Sequence, residues 1–120
     1  MKENVLKDKS FRFAVRIVNL YRYLCETKKE YVLSKQVLRS GTSVGAMVRE
    51  AEHSESKADF VHKLAIAQKE INETLYWLEL MHETKYITKK EYDSINVDAI
   101  EIIRIITTSI KTAKKSISNG

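Results

Sequence analysis

The chain contains no proline, and only three glycines occur in its 120 residues, one of them the last residue. Proline and glycine are the residues that most often end helices and form tight turns. Sandwiches and barrels need a turn residue about every 8–12 positions. The scarcity of both residues therefore favours long, uninterrupted helices over a fold of strands and turns.

Apolar residues recur at helical spacing in four segments, at about residues 10–27, 32–53, 56–84 and 88–117. Two segments begin with a capping-box pattern, formed by Ser56 with Asp59 and by Thr88 with Glu91. The connections are short, so consecutive helices should lie side by side and antiparallel. The sequence predicts a single all-α domain, an up-down-up-down four-helix bundle.

Each predicted helix has an apolar row that we expect to face the core. The rows contain Phe11, Ala14, Val15, Val18, Tyr21 and Cys25; Leu33, Val37, Gly41, Val44, Val48 and Ala51; Phe60, Leu64, Ala67, Ile71, Leu75 and Leu78; and Tyr92, Ile95, Ala99, Ile102, Ile106, Ile110, Ala113 and Ile117. The first and fourth helices have a second set of apolar residues: Ile17, Leu20, Leu24, Val97, Ile100 and Ile105. A helix that is apolar on two faces is buried on two sides, so we expect a homo-oligomer with this second set in its interface.

Residues 36–52, QVLRSGTSVGAMVREAE, combine two glycines with several hydroxyl residues. A phosphate-binding loop of the Walker type needs a preceding strand and a Gly-Lys-Ser/Thr ending, and this segment has neither. A helix break at Gly41 is an alternative, but the apolar positions keep their helical phase through it. We expect a continuous helix in which Gly41 and Gly45 pack closely against Ala65 and Ala67 of the third helix.

Arg39 precedes Gly41 by less than one helical turn. In an antiparallel pair of helices it lies level with Glu70 and Glu73 of the third helix, where it could form charge-assisted hydrogen bonds. The alternative is that Arg39 is solvated and has no partner.

Metal and catalytic sites have little support in the sequence. Two Glu-x-x-His patterns, at residues 50–53 and 79–82, match the motif of di-iron bundles. The predicted helices separate them by about 36 Å, too far to share a metal centre. Cys25 is the single cysteine, which excludes a disulfide within the chain and a cysteine-based metal site. We therefore expect no enzymatic activity and no cofactor.

The formal net charge of +5 is unevenly distributed. Residues 1–50 contain eleven Lys or Arg and five Asp or Glu, residues 51–100 contain six and ten, and the last twenty contain four and one. The basic residues that should form stripes are Lys9, Arg12, Arg16, Arg22, Lys28, Lys29, Lys35, Arg104, Lys111 and Lys115. Such stripes bind phosphates without reading a base sequence.

These stripes favour an RNA- or DNA-binding accessory protein, and the interleaved Tyr21, Tyr23 and Tyr31 could stack on bases. The alternative is a structural or protein-interaction scaffold whose basic faces only provide solubility. The N-terminal residues MKENVLKDKSF lack the apolar segment of a signal peptide, and no apolar run approaches the roughly 20 residues of a membrane span. We expect a cytoplasmic protein without a membrane partner.

Residues 38–81 resemble the four-helix-bundle proteins that are encoded in intervening sequences of bacterial 23S rRNA genes. The matching parts are LRSGTS at 38–43, REA at 49–51, DF at 59–60, KE at 69–70 and the run from Glu73-Thr74 to Trp77-Leu78. The resemblance implies a ring-shaped homo-oligomer, typically a pentamer, without enzymatic activity or a cofactor. The chain is also similar to the accessory variability protein of diversity-generating retroelements, which implies nucleic acid and a reverse transcriptase or another protein as partners. Met47 stands where this family usually has Asn, so a polar contact of that Asn is not expected here.

Overall fold

Four helices make up most of the chain in the computed structural model, which describes residues 2–119 and the side chains of residues 5–118. α1 spans Lys2–Glu26, α2 spans Leu33–Glu52, α3 spans Lys57–Glu83 and α4 spans Lys89–Asn119. Residues 2–119 contain no strand. The predicted all-α class with four helices is confirmed.

The helices form an elongated antiparallel bundle of 52 × 22 × 21 Å. Each helix packs against two others, in the cyclic order α1, α2, α3, α4, and the contact between α4 and α1 is the least extensive of the four. The connections are residues 27–32, 53–56 and 84–88. The first and third connections lie at one end of the bundle, which we call the two-turn end. The start of α1 and the end of α4 lie at the opposite end.

The starts of α3 and α4 follow the predicted capping boxes. The Ser56 hydroxyl accepts the N–H of Asp59 at 3.0 Å, and the Asp59 carboxylate accepts the N–H of Glu55 at 3.3 Å. At α4 the exchange is reciprocal, because Thr88 Oγ1 accepts the N–H of Glu91 at 3.1 Å and Glu91 Oε1 accepts the N–H of Thr88 at 2.7 Å. These bonds satisfy backbone donors that the first helical turn leaves unpaired.

α2 begins with a carboxylate that the sequence analysis missed. Glu30 Oε2 accepts the N–H groups of Val32 and Leu33 at 3.1 and 2.9 Å, and Oε1 accepts the N–H of Ser34 at 2.7 Å. The Ser34 hydroxyl in turn donates to the carbonyl oxygen of Glu30 at 2.9 Å. Glu30 is 8% exposed. The Glu30 side chain thus reaches forward along the chain, and its carboxylate accepts three backbone N–H groups at the start of α2.

α1 differs from the sequence prediction in both its start and its core face. It begins at Lys2 and not near residue 10, and its buried row is Leu6, Ser10, Phe13, Ile17 and Leu24. Phe11 and Val15, which were predicted to be core residues, are 53% and 45% exposed. The predicted and observed rows are both apolar near the middle of the helix, and the prediction chose the wrong one.

The buried rows of the other three helices largely agree with prediction. Val37, Gly41, Val44, Val48 and Ala51 are buried in α2, Leu64, Ala67, Ile71 and Leu78 in α3, and Ile95, Ala99, Ile102, Ile106 and Ile110 in α4. In α3, Thr74 is buried at the level where Leu75 was expected, and Leu75 is only partly buried. Ile117, which was also predicted to be a core residue, is 45% exposed near the end of α4.

Candidate nucleic-acid-binding surface

Three of the basic residues predicted to bind nucleic acid are paired with carboxylates instead. Lys9 Nζ lies 3.0 Å from Glu101 of α4, and Arg16 lies 2.6 Å from Asp98 of α4. Arg16 also donates to the carbonyl oxygen and the hydroxyl of Ser94, at 3.2 and 3.0 Å. These bonds connect α1 to α4 and neutralise much of the basic edge of α1.

Arg12 is the third of these residues, and its partner lies on the same helix. Its guanidinium lies 3.1 Å from Asp8, one turn earlier in α1, and both side chains are exposed. The basic stripe predicted along α1 is therefore interrupted at Lys9, Arg12 and Arg16 by acidic neighbours.

The other seven predicted cations are exposed, and none forms an ion pair with a carboxylate among the described side chains. Arg22, Lys28, Lys29 and Lys35 lie at or near the connection between α1 and α2, at the two-turn end. Arg104, Lys111 and Lys115 lie on α4 toward the opposite end. The predicted residues thus form two separate basic patches and not one stripe.

The patch on α4 includes one further lysine that the sequence analysis did not single out. Lys114 is exposed beside Lys115, and no acidic residue follows Glu101 in the chain. Cations in the last turns of a helix also interact favourably with the negative end of the helix dipole. We call Arg104, Lys111, Lys114 and Lys115 the α4 basic patch.

The three tyrosines predicted as stacking residues have different surroundings. Tyr31 is 53% exposed in the connection between α1 and α2. Tyr23 is half-buried, and Lys28 Nζ lies 5.9 Å from the centre of its ring. Tyr21 is half-buried beside Cys25, whose side-chain hydrogen bond raises the pKa of the tyrosine hydroxyl. Tyr31 is therefore the one of the three with an aromatic face open to a base.

The glycines of α2 pack against α1, and the predicted packing against α3 is wrong. A methyl group placed on Gly41 would stand 2.7 Å from Cγ1 of Ile17, and one on Gly45 would stand 3.3 Å from the carbonyl oxygen of Ser10. Ala65 is exposed, so it does not face Gly45, whereas Ala67 is fully buried in the core. A Cβ atom on Gly41 would overlap the Ile17 side chain, whereas one on Gly45 would make a tight contact that requires a small shift of the α1 backbone.

The hydroxyl residues beside these glycines are used within the helix. Ser40, Thr42 and Ser43 donate to the carbonyl oxygens of residues 36, 38 and 39, at 3.1, 2.7 and 2.6 Å. Ser40 Oγ also lies 2.9 Å from Oγ1 of the buried Thr74 in α3. The segment is a continuous helix whose small polar residues make local and interhelical bonds.

Arg39 lies beside both of the carboxylates that were predicted to be its hydrogen-bond partners. Its guanidinium is 2.5 Å from Glu73 and 3.6 Å from Glu70. Glu73 Oε2 also accepts the indole N–H of Trp77 at 3.0 Å. The hydrogen bond from Trp77, followed by that from Arg39, lowers the pKa of Glu73 against the opposing effect of burial. The group connects α2 to α3 on the outside of the core.

The six residues predicted for an oligomer interface do not share one surface. Ile17 and Leu24 are fully buried within the bundle, so their assignment to an interface was wrong. Leu20 and Ile105 are partly buried against the core, and Ile100 is half-buried. Val97 is 66% exposed. The exposed apolar residues of α1 include Phe11 and Val15, from the row that had been assigned to the core, and Val5.

The described residues contain neither a metal cluster nor a membrane span. Among the side chains of residues 5–118, no group of three or more His, Cys, Asp or Glu could hold a metal ion. No helix within residues 2–119 combines the length and apolar character that crossing a bilayer requires. Met47 is half-buried and packs against the core.

Comparison with known proteins identifies the family. The 23S rRNA-intervening sequence protein family matches residues 2–108. A solved structure from Bacteroides thetaiotaomicron, described as a protein with unknown function from the S23 ribosomal protein family, is similar with a TM-score of 0.91 and 60% sequence identity. The alignment covers 92% of this chain and 99% of that one. No curated protein sequence shows significant similarity to the chain. The predicted resemblance is confirmed, and the chain belongs to the 23S rRNA-intervening sequence protein family.

Proposed function

We propose that the protein is a non-enzymatic accessory protein that binds RNA or DNA through its α4 basic patch. The observation that supports this most directly is the contrast between the two sets of cations. Lys9 and Arg16 are occupied by carboxylates of α4, whereas Lys111 and Lys115 are exposed with no carboxylate partner among the described side chains. A phosphate backbone can therefore approach the patch without displacing an internal ion pair.

The patch at the two-turn end is a second contact region in this proposal. Lys28 and Lys29 lie in the same connection as Tyr31, which exposes its ring, so a single strand could place phosphates on the lysines and a base on the tyrosine. Copies of the chain arranged in a ring would repeat both patches around one axis, and the repeated field would strengthen weak individual contacts.

The proposal predicts that RNA binding depends on salt and on Lys111 and Lys115. We expect the Lys111→Gln/Lys115→Gln variant to bind an RNA oligonucleotide more weakly at low salt. Its plot of log affinity against log salt concentration should be shallower by about 0.7–0.9 for each lost phosphate contact. Fluorescence anisotropy over a salt series measures both quantities.

The matched control is Arg12→Gln/Lys63→Gln, which removes the same net charge. Arg12 and Lys63 are both paired with carboxylates, Asp8 and Glu50. This variant should bind RNA nearly as well as the wild type. Absence of RNA binding by the wild type at low salt would overturn the proposal and leave the alternative function, a structural or protein-interaction scaffold.

We further propose that the protein assembles into a homo-oligomeric ring, as its family resemblance implies. The outward row of α1, with Phe11 and Val15, would pack against Val97 and Ile100 of a neighbouring copy. Such a head-to-tail contact uses two different faces of each subunit and closes into a ring when the rotation permits. A reverse transcriptase or another protein is a further partner to be tested on the assembled ring.

A further inference from the structure

An apolar groove lies at the end of the bundle where α1 begins and α4 ends. Its volume is about 730 Å³, within the roughly 300–1,000 Å³ that is typical of small-molecule sites. All four helices contribute to its walls. The apolar residues of the walls include Val5, Leu6, Val48, Phe60, Leu64 and Ile105.

The groove is open because α4 has short side chains where it passes the start of α1. Nearer the middle of the bundle, Lys9 bridges the two helices by its ion pair with Glu101. Beyond that level the groove-lining residues of α4 are small: Thr108, Ser109, Thr112 and Ala113. Side chains of this size do not fill the space between helices that the bundle holds apart, so a gap remains.

The charges around the groove favour an anionic group. Arg104 and Lys57 line it, and Lys57 donates a hydrogen bond to Ser116. Glu52 is the acidic residue among the lining side chains, and Lys7 lies 3.5 Å from it. Arg104 forms no ion pair with the described carboxylates. Among the described side chains, the groove therefore combines apolar walls with a positive charge at Arg104 that no carboxylate pairs with.

We propose that this groove binds a single-chain fatty acid. The alkyl chain lies along the apolar walls, and the carboxylate pairs with Arg104. A helix from a second copy, about 10–12 Å across, is the competing occupant, and the cations Arg104 and Lys57 in the lining favour the carboxylate. A long-chain carboxylate can bury its apolar length there and leave its head group at the charged edge.

Calorimetric titration of the full chain with decanoate, dodecanoate and tetradecanoate, each below its micelle concentration, tests the proposal. Each addition of two methylenes should tighten binding on the order of tenfold. Dodecyltrimethylammonium, with the same chain and the opposite charge, should bind more weakly than dodecanoate. Absence of saturable binding, equal binding of the two head groups, or binding only to phospholipid vesicles would each overturn the proposal.

Variants of the lining residues distinguish the groove from other surfaces. Thr108→Phe fills the groove from an exposed position and should weaken dodecanoate binding at least tenfold, as should Ala113→Phe. Arg104→Gln should weaken it about threefold to fivefold, which is typical of a solvent-exposed ion pair. Arg12→Gln, which changes the charge equally but lies on the outer face of α1, should bind as the wild type does.

Circular dichroism confirms that each variant is folded before binding is measured. Unchanged dodecanoate binding by folded Thr108→Phe and Ala113→Phe would show that the fatty acid binds elsewhere. A wild type that binds no dodecanoate, together with a Thr108→Phe variant of lower molecular mass in solution, would instead show that a second copy occupies the groove. Neither result depends on the RNA measurements, which use Lys111 and Lys115.

Discussion

At the residue scale, Glu30 shows how one buried carboxylate organises the start of a helix. Burial alone would raise the pKa of Glu30, but the backbone N–H groups of Leu33, Ser34 and Val32 and the Ser34 hydroxyl together lower it. The charged form is therefore the one that the fold stabilises. Sequence reasoning missed this residue because capping was sought in Ser, Thr, Asp and Asn next to the helix, whereas Glu30 acts from three residues before Leu33.

Replacement of Glu30 tests this account. We expect Glu30→Gln to lower the free energy of unfolding by about 1–2 kcal/mol at neutral pH, because an amide oxygen accepts the N–H groups less strongly. The stabilisation by Glu30 is complete above the unfolded glutamate pKa of about 4.3 and is lost as the pH falls through the lower folded pKa. Urea denaturation over a pH series should show the difference between variant and wild type shrinking in acid.

The control for Glu30 is Glu26→Gln, at an exposed position one turn earlier in the chain. Its unfolding free energy should stay close to that of the wild type. A Glu30→Gln variant as stable as the wild type at neutral pH would contradict a capping role for the carboxylate.

Two lysines hold a backbone conformation that usually favours glycine. Lys29 and Lys85 follow the ends of α1 and α3, with φ angles of 56° and 69°. After α3 the N–H of Tyr86 donates five positions back to Met81 and the N–H of Lys85 donates to His82, which is the Schellman pattern. After α1 the N–H of Glu30 donates six positions back to Leu24, which makes a wider turn. Left-handed geometry is unfavourable for a residue with a Cβ atom. The chain thus retains lysine at both positions at some cost in stability.

Substitution by glycine should relieve this strain. We expect Lys29→Gly and Lys85→Gly each to raise the free energy of unfolding by about 0.5–1 kcal/mol. Thermal unfolding followed by circular dichroism measures the effect. Lys28→Gly, next in the chain but at a negative φ, should destabilise the protein, and a gain of stability there would point to a general effect of lost charge.

At the scale of the helices, the sequence pattern of α1 did not determine which of its two apolar rows faces the core. Both apolar rows of α1 have helical spacing, and periodicity alone does not say which of them faces the core. The observed row continues upstream from Phe13 to Ser10 and Leu6, whereas the row through Phe11 meets the charged residues Lys7 and Asp8. Extending the helix toward the N-terminus would have given both the earlier start and the correct face.

The sequence pattern of α2 likewise did not determine which neighbouring helix its glycines pack against. The helix itself, its buried face and the position of Arg39 beside Glu73 follow from periodicity and hairpin geometry. The choice of partner for Gly41 does not, because α2 has α1 on one side and α3 on the other. Only the three-dimensional positions of Ile17 and Gly41 decide which interface has the close approach.

Gly41→Ala tests the close approach of α2 to α1. The added methyl would overlap Ile17, with Cγ1, Cγ2 and Cδ1 at 2.7, 2.9 and 3.0 Å. We expect a loss of about 1–3 kcal/mol in unfolding free energy, despite the better helix propensity of alanine. Urea denaturation of Gly41→Ala, Ile17→Ala and the double variant gives the coupling between the two sites.

The double variant should be more stable than the sum of the single effects predicts, since the new methyl fills part of the space that Ile17 leaves. Additive effects would show that Gly41 and Ile17 do not compete for the same volume. Ala46→Gly, at an exposed position of α2, is the control for helix propensity.

At the scale of the whole molecule, the bundle leaves apolar side chains outside on both α1 and α4. Phe11 lies under the guanidinium of Arg49, 5.1 Å from ring centre to Cζ, but stays half exposed. Val15 and Val97 are exposed as well. The basic first half of the chain and its acidic middle add unlike charges to these faces, which favours contacts between different faces of neighbouring copies.

Self-assembly through these faces has a direct test. Light scattering of the wild type should give a multiple of the 13.9 kDa subunit mass. Val15→Glu should reduce the mass toward that of the monomer, because a carboxylate would be buried in the contact without a partner. Ala65→Glu, the same change at an exposed position of α3, should leave it unchanged, and a monomeric wild type would refute the proposed ring.

The ion pairs between α1 and α4 have a consequence for how the bundle moves. Lys9–Glu101 and Arg16–Asp98 are partly exposed to solvent, and they join the two helices that touch least. Dissolved ions weaken such pairs, whereas the buried Ser40–Thr74 contact between α2 and α3 is screened much less. We therefore expect local unfolding to begin at the contact between α1 and α4, while α2 and α3 stay packed against each other. Higher ionic strength, and not only higher temperature, should therefore raise the frequency with which this opening exposes the interior.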